Sequence, residues 1–198
     1  MMVNRDTSKE LVITNSDAQK ALLEWFDILS DRYASQGGKQ INGRAWRAEL
    51  RRMEPPFGVM MCEGYSVLLR QLSVHMPLSA VNKMALAIFI SVAVHIKKHC
   101  PEGSFAAQLG EKKDEKPFLS SLRFQRLQQA RDPDTFSQQL IRAVKIREDK
   151  GVNIISLADS IFLWMREWQD SQEHIPPQSH PFARNRIRWA NEYISSSR

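Results

Sequence analysis

The stretch MALAIFISVAV, residues 84–94, constrains this chain more than any other segment. Ser91 is its one polar residue. It is too short to span a bilayer, which needs about 20 apolar residues. A helix that is apolar all round has to be covered all round, so residues 84–96 predict the central core helix of an N-terminal bundle, capped near Ser79. His95, Lys97, Lys98 and His99 fall at its expected end, where cations suit the helix dipole.

The segments that would cover such a helix are amphipathic with helical spacing. Leu22, Trp25, Phe26, Leu29 and Tyr33 recur after Ser16, which with Gln19 reads as a capping box. Residues 1–15 before them read as a tail. Trp46, Leu50 and Met53 give residues 43–53 one apolar face, stopped by Pro55-Pro56. Met61, Tyr65, Leu68, Leu69 and Leu72 do the same for 60–75. Further helices are expected over 119–131 and over 135–150, the latter capped by Asp134 or Thr135 and ended by Gly151. The next starts at Ser156, with Leu157, Ile161, Trp164, Met165 and Trp168 inward. Residues 169–182 read as a loop. A last helix from Arg184 to Tyr193 is expected to turn Ile187, Ala190 and Ile194 inward.

No segment alternates with period two. The expectation is an all-α protein of two small helical bundles packed together, residues 16–100 and 118–195. Residues 101–117, with the short helical string FAAQLG and the polar GEKKDEKP, read as a linker or loop.

With 198 residues, 42% hydrophobic and 25% charged, the chain can bury a core. Two cysteines, Cys62 and Cys100, do not make a disulfide scaffold and fit a reducing compartment. MMVNRDTSKE has no apolar core of a signal peptide, so a cytoplasmic protein is expected.

Catalytic signals are sparse. His95 and His99 stand four apart with Cys100 next, a spacing that can hold a metal on a helix, but Ile96 occupies the place of a general-base glutamate. A metal-dependent helical nuclease using these residues and Cys62 is the enzymatic alternative. No cofactor or metal is expected. Asp132-Pro133-Asp134 reads as a turn and helix cap rather than a carboxylate pair.

The cations are organised. Arg44, Arg47, Arg51 and Arg52 form one cluster. Arg123, Arg126, Arg131, Arg142, Lys145 and Arg147 form a second, and Arg184, Arg186 and Arg188 a third. Arginine predominates, and its planar fork suits phosphate oxygens. The net charge of +6 is thus concentrated on helical stretches. By contrast, Asp159, Glu167, Asp170 and Glu173 face only Arg166 in the stretch 159–173. Such a pattern fits nucleic-acid binding as well as it fits a solvated or ion-paired helix face. An all-α adaptor whose arginines dock proteins is the other alternative. Trp164 and Trp168 could serve as base-stacking platforms, but their spacing with Leu157 and Ile161 favours a core role.

The blocks FLSSLRFQRLQQARDPDTFSQQLIRAVKI, KGVNIISLADSIFLW and RNRIRWANEY, preceded by LLEWFDIL, RAWRAELRRM and FAAQLG, resemble the CasB family. This is the small subunit of the type I-E CRISPR Cascade complex. The order and spacing of the blocks, from Leu22 to Tyr193, carry the resemblance. It implies a non-enzymatic all-α ribonucleoprotein subunit acting in antiviral defence. The implied partners are the backbone and large Cascade subunits, a second copy of the chain, guide RNA, and the target and displaced DNA strands of the R-loop. Carried over residue by residue, its basic positions fall on Arg51, Arg52, Arg123, Arg142 and Arg184. Gln128 and Gln129 depart from the family pattern, where apolar or basic residues are usual. The stretch 169–182 looks longer than the family's, and GEKKDEKP looks like an insertion.

Overall fold

Helix α4 (Ala80–Ala93) lies at the centre, with every residue from Ala85 to Ala93 buried. The Ser79 hydroxyl accepts from the Asn82 N–H and caps it, as expected. In the computed structural model, which describes residues 11–197, α4 is surrounded by α1 (Ser16–Ile28), α2 (Gly43–Arg52), α3 (Glu63–Ser73), α7 (Pro133–Ile146) and α8 (Ile154–Gln172). Helices α5 (Phe105–Gly110), α6 (Ser121–Gln128) and α9 (Asn185–Ser197) complete the all-α fold. One hydrophobic cluster runs from Ile13 to Tyr193 and draws on both halves of the chain.

Packed structure begins earlier in the chain than expected, before Ser16. Residues 1–10 lie outside the described residues, but Ile13 is buried, and the N–H groups of Val12 and Ile13 both donate to Asp159 Oδ1. Asn15, not Ser16, caps α1, because its side-chain oxygen reaches the N–H groups of Asp17 and Ala18. Gln19 instead donates to Ile13 O.

Two short antiparallel hairpins went unseen in the hydropathy pattern. β1 (Ala34–Gln36) pairs with β2 (Lys39–Ile41) around Gly37-Gly38, both at positive φ. β3 (Lys112–Lys113) pairs with β4 (Lys116–Pro117) around Asp114-Glu115, also at positive φ. Paired positive φ values are the signature of tight hairpin turns. These strands are too short for alternation to register, and GEKKDEKP is therefore a hairpin. The rest of 101–117 is not a solvated connection either. Phe105, Ala106 and Leu109 of α5 are fully buried, and α5 packs closely on α9. Gly110 makes that approach possible, since a Cβ there would run into the Tyr193 carbonyl.

Caps and ends correct several other expectations. Asp132 caps α7 by accepting from the Thr135 N–H at 2.7 Å, with Pro133 in the first turn. Gly151, at φ 79°, closes a 3-10 turn beyond α7 rather than α7 itself. Asn153 caps α8, freeing Ser156 to accept from the Phe105 N–H. Helix α8 continues to Gln172, through the first part of the expected loop. Met61 is 79% exposed because it sits in a 3-10 turn (Gly58–Met61) before α3.

On α9, Ile187 and Ile194 are 36% and 46% exposed, while Trp189 and Tyr193 are buried. The aromatic pair, four residues apart, offers more apolar area than the isoleucines and also finds polar partners. Trp189 Nε1 donates to Ser160 Oγ, and the Tyr193 hydroxyl donates to Leu119 O.

Candidate nucleic-acid interface

Helices α6 and α7 place four cationic side chains along one groove of about 450 Å³. Arg123 and Arg126 come from α6, and Arg142 and Lys145 from α7, with Leu119, Gln139 and Ile146 completing the lining. All four cations are exposed. None of them takes part in the ion pairs found among the described residues. Their pairing follows from helical geometry, since residues three apart on a helix share a face. Phe124 and Leu127 bury the opposite side of α6, and Ala143 and Val144 that of α7. The cations are thereby left on the outward sides.

The first cluster is anchored differently. Arg44 Nε donates to Ser30 O, Arg51 Nε to Val94 O at 2.7 Å, and Arg52 Nε to Ala48 O. A carbonyl partner fixes a guanidinium without neutralising it, so these side chains stay charged. Arg47 is half-buried, with its guanidinium carbon 5.6 Å from the Phe26 ring centroid. Burial, and then Arg51, lower its pKa.

His95 links this cluster to the groove. It is half-buried, and its pKa is pushed down to about 4 by burial, then by Lys145 and Arg51. Both cations therefore lie near enough to oppose its protonation. The bond from Arg51 to Val94 O also marks where α4 stops, short of the expected 96. Residues 98–100 leave the helix to pair with Val152: Val152 N–H donates to Lys98 O and Cys100 N–H to Val152 O. His95 and His99 are thus not on a helix face. His99 Nδ1 accepts from the Ile154 N–H. Among the described residues, no group of three His, Cys, Asp or Glu side chains could hold a metal.

Other predicted cations have internal partners. Arg147 is 2% exposed, lies over the Phe118 ring, donates to Gly151 O and Gln108 O, and pairs with Glu111 at 2.8 Å. Arg188 pairs with the buried Asp159 at 3.0 Å. Arg184 Nε donates to Gln178 O, and Arg186 is exposed with its carbonyl accepting from Gln128. Arg131 lies beyond the C-terminal end of α6, outside the groove.

The acidic stretch divides in the same way. Asp159 is a buried hub rather than a surface charge, and Glu167 accepts from the Asn185 N–H at the start of α9. Burial is the main cause of Glu167's raised pKa. Trp164 stacks on Phe136 at 3.9 Å and 7°, in keeping with a core role.

Sequence reasoning missed Gln139, Leu119 and Ile146, and it read His95 only as a helix-end cation and a candidate metal ligand. Gln139 was within reach, because it precedes Arg142 by three residues and Ile146 by seven on one face of α7. The place of His95 between two cations carried no sequence signal, since it depends on how α2, α4 and α7 meet.

The family model of CRISPR-associated protein Cse2 matches residues 46–193. No curated protein and no solved structure matches the chain significantly. The matched region contains the groove helices α6 and α7, the Arg51–His95 link and α9 as far as Tyr193. The chain therefore belongs to the Cse2 family, the CasB small-subunit family of type I-E Cascade.

Proposed function

We propose that the chain is a non-catalytic Cascade subunit that holds nucleic-acid backbone and so stabilises the R-loop. The observation that carries this is the convergence of Arg123, Arg126, Arg142 and Lys145 on one groove, without acidic partners among the described residues. Arg51, Arg52 and Arg44 extend the cationic surface past His95 onto the N-terminal half. Arg47, Arg131 and Arg184 lie outside the groove, and Arg188 acts through Asp159 in holding the fold.

Exchange of a DNA duplex for a guide–target hybrid is nearly balanced, so backbone contacts can tip it. Arginines on rigid helices neutralise phosphates and release counterions without reading bases. Sequence choice would then rest with the guide RNA. The protein's work would be done in the cytoplasm beside the backbone and large subunits and a second copy of itself.

The test is a salt titration of single-stranded DNA binding by the full chain. Each phosphate contact contributes roughly 0.7 to the slope of log affinity against log salt for single strands. Replacing Arg123, Arg126, Arg142 and Lys145 by Ala should therefore lower that slope by about 3. The same variant in an assembled complex should shorten R-loop lifetime. An unchanged slope together with an unchanged lifetime would sink the reading.

A further inference from the structure

Beyond the C-terminal end of α6 lies a second concavity, of about 360 Å³. Its lining includes Arg131, Trp164, Glu167, Trp168, Ser171 and Gln172. Both tryptophans are half-buried and packed against the core. Phe136, stacked on Trp164, fixes the orientation of that ring, and the part of Trp164 left uncovered lines the concavity. Glu167 Oε1 is committed to the Asn185 N–H, while Oε2 accepts no hydrogen bond among the described residues. Gln172 adds an amide, one N–H of which donates to Ser171 Oγ at 3.4 Å.

The chemistry of this lining suits a flat, neutral ring bearing N–H groups. Aromatic walls provide stacking, and a carboxylate oxygen and an amide provide hydrogen bonds. The lining holds one cation, Arg131, and one carboxylate, Glu167, so it carries no net positive charge to hold a phosphate inside. The cationic groove begins at Leu119, Arg123 and Arg126, and the concavity at Ala130 and Arg131. Arg126 of the groove and Ala130 of the concavity are only four residues apart in the chain, at the C-terminal end of α6. One polymer that carries both anionic links and aromatic rings matches the pair of sites, and that polymer is a single nucleic-acid strand.

We propose that the Trp164–Trp168 concavity takes one unpaired nucleobase of the strand whose phosphates lie in the α6–α7 groove. This rests on the backbone-binding reading above and makes the preferred ligand single-stranded. A duplex would present its bases already stacked.

The experiment compares a single-stranded DNA oligonucleotide with one of equal length made of abasic nucleotides, by fluorescence anisotropy on the full chain at low salt. The wild type should bind the base-bearing strand about tenfold more tightly, as expected for one stacked base. Trp168→Leu should bind both strands equally, at the abasic level. Ser171→Leu, at an exposed lining position, should do the same by obstruction and serves if Trp168→Leu does not fold. Equal wild-type affinity for the two strands would overturn the base site and leave backbone binding standing. Binding of neither strand would overturn both. A tenfold preference kept by the folded variants would place base contact elsewhere and overturn the assignment to this concavity.

Discussion

The arginines of the groove and the arginines of the core are the same residue type in similar helical strings, yet they do opposite work. Arg147 and Arg188 have carboxylate partners within the chain, the half-exposed Glu111 and the buried Asp159. Arg123, Arg126 and Arg142 stand in an open groove with another cation, Lys145. A guanidinium with an internal carboxylate is spent on stability, whereas one held among like charges is stabilised only by an anion from outside. The comparison teaches that an arginine cluster read along a sequence mixes two populations, and that the partner, not the spacing, separates them.

The largest effect is expected on the core side. Asp159→Ala should remove the acceptor of Val12 and Ile13 and leave Arg188 without its partner. A loss of about 3–5 kcal/mol of folding stability is expected for breaking such a buried pair, read from urea unfolding midpoints. A loss below about 1 kcal/mol would erase the distinction between the two arginine populations.

Gly110→Ala comes next. A Cβ directed at the Tyr193 carbonyl has to push α5 from α9, and overpacking of this kind costs about 1–3 kcal/mol. A thermal melt shows whether the closing helix depends on this contact.

His95 sharpens the boundary between the populations. Its folded-state pKa is depressed from 6.5 to about 4, so it contributes stability that is present above pH 6.5 and lost as pH falls through about 4. The contribution is on the order of 1 kcal/mol once solvent screening is allowed for. His95→Gln should flatten the stability profile between those pH values. Glu167 has the opposite sign. Its raised pKa gives stability present below the ordinary carboxylate range and lost as pH rises through the folded value, a dependence that Glu167→Gln should remove.

The smallest effect on stability is expected in the groove. Arg142→Ala should change stability by no more than about 0.5 kcal/mol, as for an exposed site without an ion-pair partner among the described residues. It should still lower the salt slope of DNA binding by roughly 0.7. A large stability loss with an unchanged slope would move Arg142 into the structural population.

Much of the architecture was legible beforehand. Residues 84–94 had to be central because a helix without a polar side has nowhere else to go, and α4 is buried from Ala85 to Ala93. The all-α class, the Ser79 cap and the family blocks were legible for a similar reason: helical spacing and block order are local properties of the chain. The hairpins were not, since strands of two or three residues leave no alternation to read. The inward face of α9 was misread because Ile187 and Ile194 share a helical spacing that suits burial equally well. Only the contact with α5 and α8 chose Trp189 and Tyr193.

The sequence by itself determined that this chain is a helical protein of the Cse2 family with its positive charge gathered on a few segments. The reason is that periodicity, capping residues and block order are written at short range. Which cations meet one another was decided only by the tertiary structure. The convergence of Arg123 and Arg126 with Arg142 and Lys145, the capture of Arg188 by Asp159 and the placing of His95 beside Arg51 all join residues from different helices. Electrostatic energy depends on distance in space and on burial, and neither is a property of position along the chain.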